Sequence, residues 1–185
     1  LYVTDSFTIR EITPQGVVTT LAGSGQIGHD DGHGTAASFR SLTQLAFDAN
    51  GTMFVVDSTN RLIRKVSTGG DVTTIAGVLD STDNRDGTGR SAQFASPGGL
   101  AVDPRNGIIY VSNGDTICKI TPNDWVVTTL AGQDNQYGLR DGTGTGVLFN
   151  GAYGLAVDRH GRLFVADKDN NRLRVVTPDG VVSSI

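Results

Sequence analysis

The chain has 185 residues, 37% of them hydrophobic, with a formal net charge of −4, 25 glycines and a single cysteine, Cys118. That length accommodates a domain with a real core. The acidic balance leaves no cationic footprint for a phosphate backbone, one cysteine makes neither an internal disulfide nor a thiolate metal site, and no apolar run approaches the roughly 18 residues of a membrane-spanning helix.

Glu11 is the only glutamate among 19 acidic residues, and Lys65, Lys119 and Lys168 are the only lysines among 15 basic ones. Charged residues that favour helices are thus scarce, while Asp and Gly, which favour turns, abound. In chain order, residues 1–23 read as three short strands ending in Thr19-Thr20-Leu21-Ala22-Gly23. This ending recurs at Thr73 to Gly77 and Thr128 to Gly132, 54 and 55 residues on, and Ile185 closes a fourth copy. Between the endings, Asp31-Gly32, Asp86-Gly87 and Asp141-Gly142 recur, as do Phe39, Phe94 and Phe149. The last copy shows the unit plainly: apolar runs 154–158, 163–167, 173–177 and 181–185, with the first two joined through Arg159-His160-Gly161-Arg162 and the last two through Pro178-Asp179-Gly180. Alternating apolar runs bounded by such turns are hairpins.

A four-stranded antiparallel unit repeated about every 55 residues predicts propeller blades, whose sheets bury their faces against each other. The expected fold is all-β, a partial ring of about three and a half blades. Residues 1–23 form a partial blade lacking its first strand, and 24–77, 78–132 and 133–185 form three more. The missing blades are expected from the same, longer chain.

Gly-Leu-Ala-Val-Asp at 154–158, Leu-Phe-Val-Ala-Asp at 163–167 and Asn-Arg-Leu-Arg at 171–174 resemble the NHL repeat, and the resemblance extends over the whole chain. The Asp-Gly-x-Gly segments before each phenylalanine resemble a long-period variant of that repeat, common in bacterial and other extracytoplasmic multidomain proteins. The resemblance implies an extracytoplasmic or secreted protein. It also implies one of the family's activities: noncatalytic recognition of protein or RNA, adhesion, or metal-dependent lyase chemistry.

Differences between copies point to particular residues. Asp5, Asp57 and Asp167 end second strands, and Arg10, Arg64 and Arg174 follow in third strands. The remaining copy has Asn113 and Cys118 there, losing both charges together. Paired loss is expected of ion pairs linking the strands. The residues before each first strand are expected to rim the central opening, where Arg40, Thr43, Gln44, Asn150 and Tyr153 are the candidate contacts. The Asp-Gly-x-Gly segments read as tight turns, with calcium ligation as the alternative. His29, His33 and His160 read as surface residues, not as a zinc site. Trp125, in a hairpin turn, either anchors a partner or packs on its neighbour.

These features lead to a noncatalytic recognition or scaffold module, without a cofactor, that binds protein or glycan through its rim and loops. The alternative is a metal-dependent propeller enzyme, of lyase or lactonase type, with its site on blades outside this chain.

Overall fold

In the computed structural model, which describes residues 1–185, the apolar runs are strands and the Gly-, Asp- and Pro-rich stretches between them are turns. Strands β1 (Tyr2–Asp5), β2 (Thr8–Ile12) and β3 (Val18–Ala22) make a three-stranded sheet. The second sheet holds β4 (Gly32–His33), β5 (Leu42–Phe47), β6 (Met53–Asp57), β7 (Leu62–Val66) and β8 (Asp71–Ala76). The third holds β9 (Gly87–Thr88), β10 (Pro97–Val102), β11 (Ile109–Asn113), β12 (Thr116–Ile120) and β13 (Val126–Gly132). The fourth holds β14 (Gly142–Thr143), β15 (Ala152–Val157), β16 (Leu163–Asp167), β17 (Arg172–Val176) and β18 (Val181–Ser184). The molecule is an all-β partial propeller, and its sheets are called blades 1 to 4 below.

Each complete blade is the expected meander plus one addition. The Asp-Gly-x-Gly segment contributes a two-residue strand, β4, β9 or β14, that pairs antiparallel with the outermost meander strand. The segment is therefore more than a turn: it caps a sheet edge that would otherwise offer unpaired backbone groups. Its first glycine is in the strand, its second opens a single turn of 3-10 helix at Gly34, Gly89 and Gly144, and the phenylalanine follows.

The core lies between blades. Phe39, Phe94 and Phe149 are fully buried and occupy three successive hydrophobic layers, the first shared by blades 1 and 2, the second by 2 and 3, the third by 3 and 4. Ile9, Ile63 and Ile117 are fully buried at matching positions, whereas the equivalent Leu173 of blade 4 is 42% exposed. The difference is one of neighbours: Ile9, Ile63 and Ile117 each lie in a layer shared with the following blade.

The innermost strand of every complete blade is bulged at one place. Pairing of β5 with β6 shifts between Leu42 and Leu45, of β10 with β11 between Pro97 and Leu100, and of β15 with β16 between Ala152 and Leu155. Bulges re-aim side chains, and here they release Thr43-Gln44, Gly98-Gly99 and Tyr153-Gly154 from the ladder.

Candidate functional site

The released residues bond across blades. Thr43 Oγ1 donates to the Gly98 carbonyl at 2.7 Å, Gln44 Nε2 donates to the Leu155 carbonyl at 3.3 Å, and Gln44 Oε1 accepts from the Leu100 N–H at 3.3 Å. Ser112 Oγ accepts from Gly99 N–H and donates to the Tyr153 carbonyl at 2.9 Å. The polar groups of Thr43 and Gln44, expected to face a ligand, are bonded within the ring. Residue type and spacing could not show this, because both acceptors lie in other blades.

The other rim candidates differ in what they offer. Arg40 is exposed and reaches Asp80 at 3.4 Å. Asn150 is half-buried, and its backbone N–H donates to Asp167. Tyr153 is 50% exposed and leans over Gly98, where a β-carbon would meet its ring. It lines a pocket of about 160 Å³ with Ser58, Ser96, Gly114, Lys168 and Asp169. This pocket gathers the loops that precede first strands and those that join second to third strands, so it lies on one face of the ring.

Beneath that face are two matching ion-pair clusters. Arg64 NH1 donates to Asp57 Oδ2 at 2.9 Å, and Arg174 NH1 donates to Asp167 Oδ2 at 2.6 Å, with both side chains of each pair fully buried. Each guanidinium also reaches the aspartate of its blade's Asp-Gly segment, Asp31 at 3.0 Å and Asp141 at 2.7 Å. It donates as well to the carbonyls of Ser38 and Asp30, or of Leu148 and Arg140. Its planar fork lies 5.0 Å above Phe39 in one blade and 5.1 Å above Phe149 in the other. On the far side, Asp57 accepts from the Arg40 and Ser41 N–H groups and from Asn60, and Asp167 accepts from the Asn150 N–H and Asn170. The arginine thereby locks inner strand, outer edge and phenylalanine plug together. Burial acts to raise the Asp31 carboxyl, but the Thr74 hydroxyl and backbone and then the Arg64 charge outweigh it and hold Asp31 below the usual 3.8.

Asp5 and Arg10 form no such pair: Asp5 is exposed and Arg10 Nε is buried without a partner. A local difference accompanies this: the hairpin after Asp5, Ser6-Phe7, is two residues shorter than those that place Asn60 and Asn170.

Blade 3 solves the same problem without charge. Asn113 Oδ1 accepts from the Ser96 N–H, and Asn113 Nδ2 donates to Asn84 Oδ1, which also accepts from the Ala95 N–H. Asn84 supplies the polar group that replaces a guanidinium, and Cys118 fills the apolar remainder beside Phe94. Burial is the main cause that pushes the Cys118 thiol up to about 12. Ellman's reagent at neutral pH is therefore expected to leave native Cys118 unmodified over hours and to titrate one thiol in denaturant. Rapid reaction of the native protein would contradict this placement, since only the thiolate attacks.

The aspartates of the Asp-Gly segments are engaged by protein donors: Asp31 by Arg64, Thr74 and Arg90, Asp86 by Thr129, Asp141 by Arg174 and Ser184. His33 Nδ1 lies 2.9 Å from Asp71, whose carboxyl is lowered chiefly by that bond, and His160 lies beside Arg159. No three His, Cys, Asp or Glu side chains converge as a metal-holding group.

The family profile described as NHL repeat matches residues 149–176. Teneurin-3 of Mus musculus is 30% identical over 171 residues, which is 84% of this chain and 6% of teneurin-3. NHL repeat-containing protein 2 of Bos taurus is 27% identical over 176 residues, 88% of this chain and 24% of that protein. Among solved structures, a protein of unknown function from Bacteroides thetaiotaomicron superposes with a TM-score of 0.80 at 22% identity, over 98% of this chain and 44% of its own. The chain therefore spans less than a quarter of the length of either of these two relatives.

Proposed function

The chain belongs to the NHL-repeat family, and we propose that it is a noncatalytic recognition segment of a longer, extracytoplasmic protein, binding a protein partner through the face that carries Tyr153 and Arg40. The observation that carries this reading is Tyr153 itself. It is a half-exposed aromatic with its backbone bonded by Ser112 and its ring seated on a glycine. Around it stand hydroxyl groups and a neighbouring Lys168 and Asp169. A rigid aromatic anchor inside a polar rim is the usual composition of a binding hot spot.

The enzyme alternative places its metal site on blades outside this chain, and a glycan is the other ligand class that such a face takes. The test is an array of secreted and cell-surface ectodomains, printed beside a glycan array and probed with the purified chain. Saturable protein binding is expected, weakened at least about tenfold by Tyr153→Ala with the melting temperature unchanged. Equal affinity of the variant, or binding confined to glycans, would refute it.

A further inference from the structure

The opposite face of the ring carries a second, larger cavity. A groove of about 480 Å³ runs between blades 2 and 3, walled by the turns that join first to second and third to fourth strands. Its size lies within the roughly 300–1,000 Å³ of small-molecule sites. Thirteen residues line it and only three are hydrophobic. Its largest aromatic is Trp125, the only tryptophan of the chain, which is half-buried and rests with one side on the core shared by blades 2 and 3.

Trp125 stands where the other copies have glycine. The carbonyls of Gly70 and Gly180 accept from Gly34 and Gly144, and the carbonyl of Trp125 accepts from Gly89 in the same way, each at 3.0 Å. Gly16, Gly70 and Gly180 have φ of +81°, +87° and +80°, and Trp125 keeps the left-handed region at +53°. That region is unfavourable for any residue with a β-carbon, and Asn123 of the same turn is there too, at +75°. Held this way, the indole spans the blade boundary. It meets Phe54 edge-on at 6.1 Å, and Lys65 Nζ lies 5.9 Å from its centre. Backbone strain collected at one turn of one blade, holding a half-buried aromatic in a groove wall, is the kind of outlier that clusters at functional sites.

The polar groups around the indole are unspent. Asp48 Oδ1 accepts from the Asn50 and Thr52 N–H groups, but its Oδ2 is free, and Lys65 Nζ and the side chains of Asn50 and Asn123 make no hydrogen bond within the chain. Asn106 uses its carbonyl on the Ile108 N–H and keeps its amide free. Arg105 is not available as a cation, because Asp103 takes it in two bonds and the His160 carbonyl in a third. What remains is one carboxylate, one ammonium and three carboxamides about an aromatic face. Donors and acceptors are balanced and the free charges cancel, which suits a neutral polyol with an apolar C–H face and does not suit a phosphate or sulfate.

We propose that this groove is a binding site for a neutral saccharide, whose pyranose ring stacks on Trp125 while Asp48, Lys65 and Asn106 bond its hydroxyl groups. The site lies on the face opposite Tyr153 and stands or falls apart from it.

The single tryptophan makes the groove its own reporter. The purified chain is titrated with neutral hexoses, N-acetylhexosamines and their disaccharides, reading indole fluorescence, with sulfated sugars and inorganic phosphate as comparison. A saturable change is expected for at least one neutral sugar, with half-saturation on the order of 1 mM for a ligand of that size. Lys65→Met combined with Asn106→Ala should weaken it at least about tenfold without moving the melting temperature. Trp125→Gly, which restores the residue of the other copies and suits the backbone, should abolish binding measured by saturation-transfer NMR. No response to any neutral sugar, a response to the anions alone, or undiminished binding by either variant would each overturn the proposal.

Discussion

Arg64→Met is expected to cost about 3–5 kcal/mol of folding stability, the cost of breaking a buried ion pair from one side. Methionine keeps the unbranched alkyl stem but ends short of the guanidinium, so the loss combines the missing charge with the missing stacking on Phe39. Four acceptors each lose a bond at once: Asp57, Asp31 and the carbonyls of Ser38 and Asp30. Asp57 is left as a carboxylate with no solvent exposure, held only by two N–H groups and Asn60. Against the roughly 5–15 kcal/mol available to a folded domain, a loss of this size is readily seen in urea denaturation.

Blade 3 supplies the internal control. Carrying its uncharged set into blade 2, as Asp57→Asn with Arg64→Cys and His29→Asn, places an amide where Asn84 stands and removes the stranded charge. The triple variant should be more stable than Arg64→Cys alone, so the costs do not add. Strict additivity of the single changes would show that the cluster does not act as a unit.

Gly77→Ala is expected to cost at least about 2 kcal/mol, combining a left-handed backbone with overpacking. Gly77 has φ of +107°, and a β-carbon there would run into the Arg61 carbonyl oxygen and the Leu62 backbone. Gly23 and Gly132 repeat the situation, at +105° and +96°, against the carbonyls of Phe7 and Asp115. The outermost meander strand must pass this close to the hairpin of its own blade, and glycine alone leaves room. Gly34→Ala is the matched comparison, with φ of +55° but nothing near its missing β-carbon. It should show the backbone part only, about 1–2 kcal/mol. Equal losses in melting experiments on the two variants would remove the crowding argument.

The repeated features were legible in the sequence for a physical reason: each answers to a need that recurs at every blade. The Ala-Gly endings mark the close approach just described, the phenylalanines mark the plugs, and the joint loss of Asp and Arg at Asn113 and Cys118 marks a charge that must be balanced in burial. What was not legible depends on neighbours that no single copy contains. Gln44 and Thr43 look like free polar side chains at a rim, and only the bulges and the adjacent inner strands reveal them as bonded. Asp5 and Arg10 carry the right residue types on a hairpin two residues shorter than those of blades 2 and 4, and their side chains do not pair. Trp125 had a visible signal, an aromatic in place of a turn glycine, but its groove needs residues from two blades.

The bonds of Gln44 also say something about how such a ring is assembled. Its amide joins Leu155, 111 residues away, whereas the hairpins at the ring's edges pair residues only a few apart. The chain entropy lost in closing a loop grows with the logarithm of its length, so contacts at the axis are dear in search time and those at the circumference cheap. Hairpins within a blade are therefore expected to form ahead of the hub, which needs three inner strands at once. Gln44 thereby ties three blades at the hub: its carbonyl and its amide are both bonded only where the inner strands of blades 3 and 4 stand beside it.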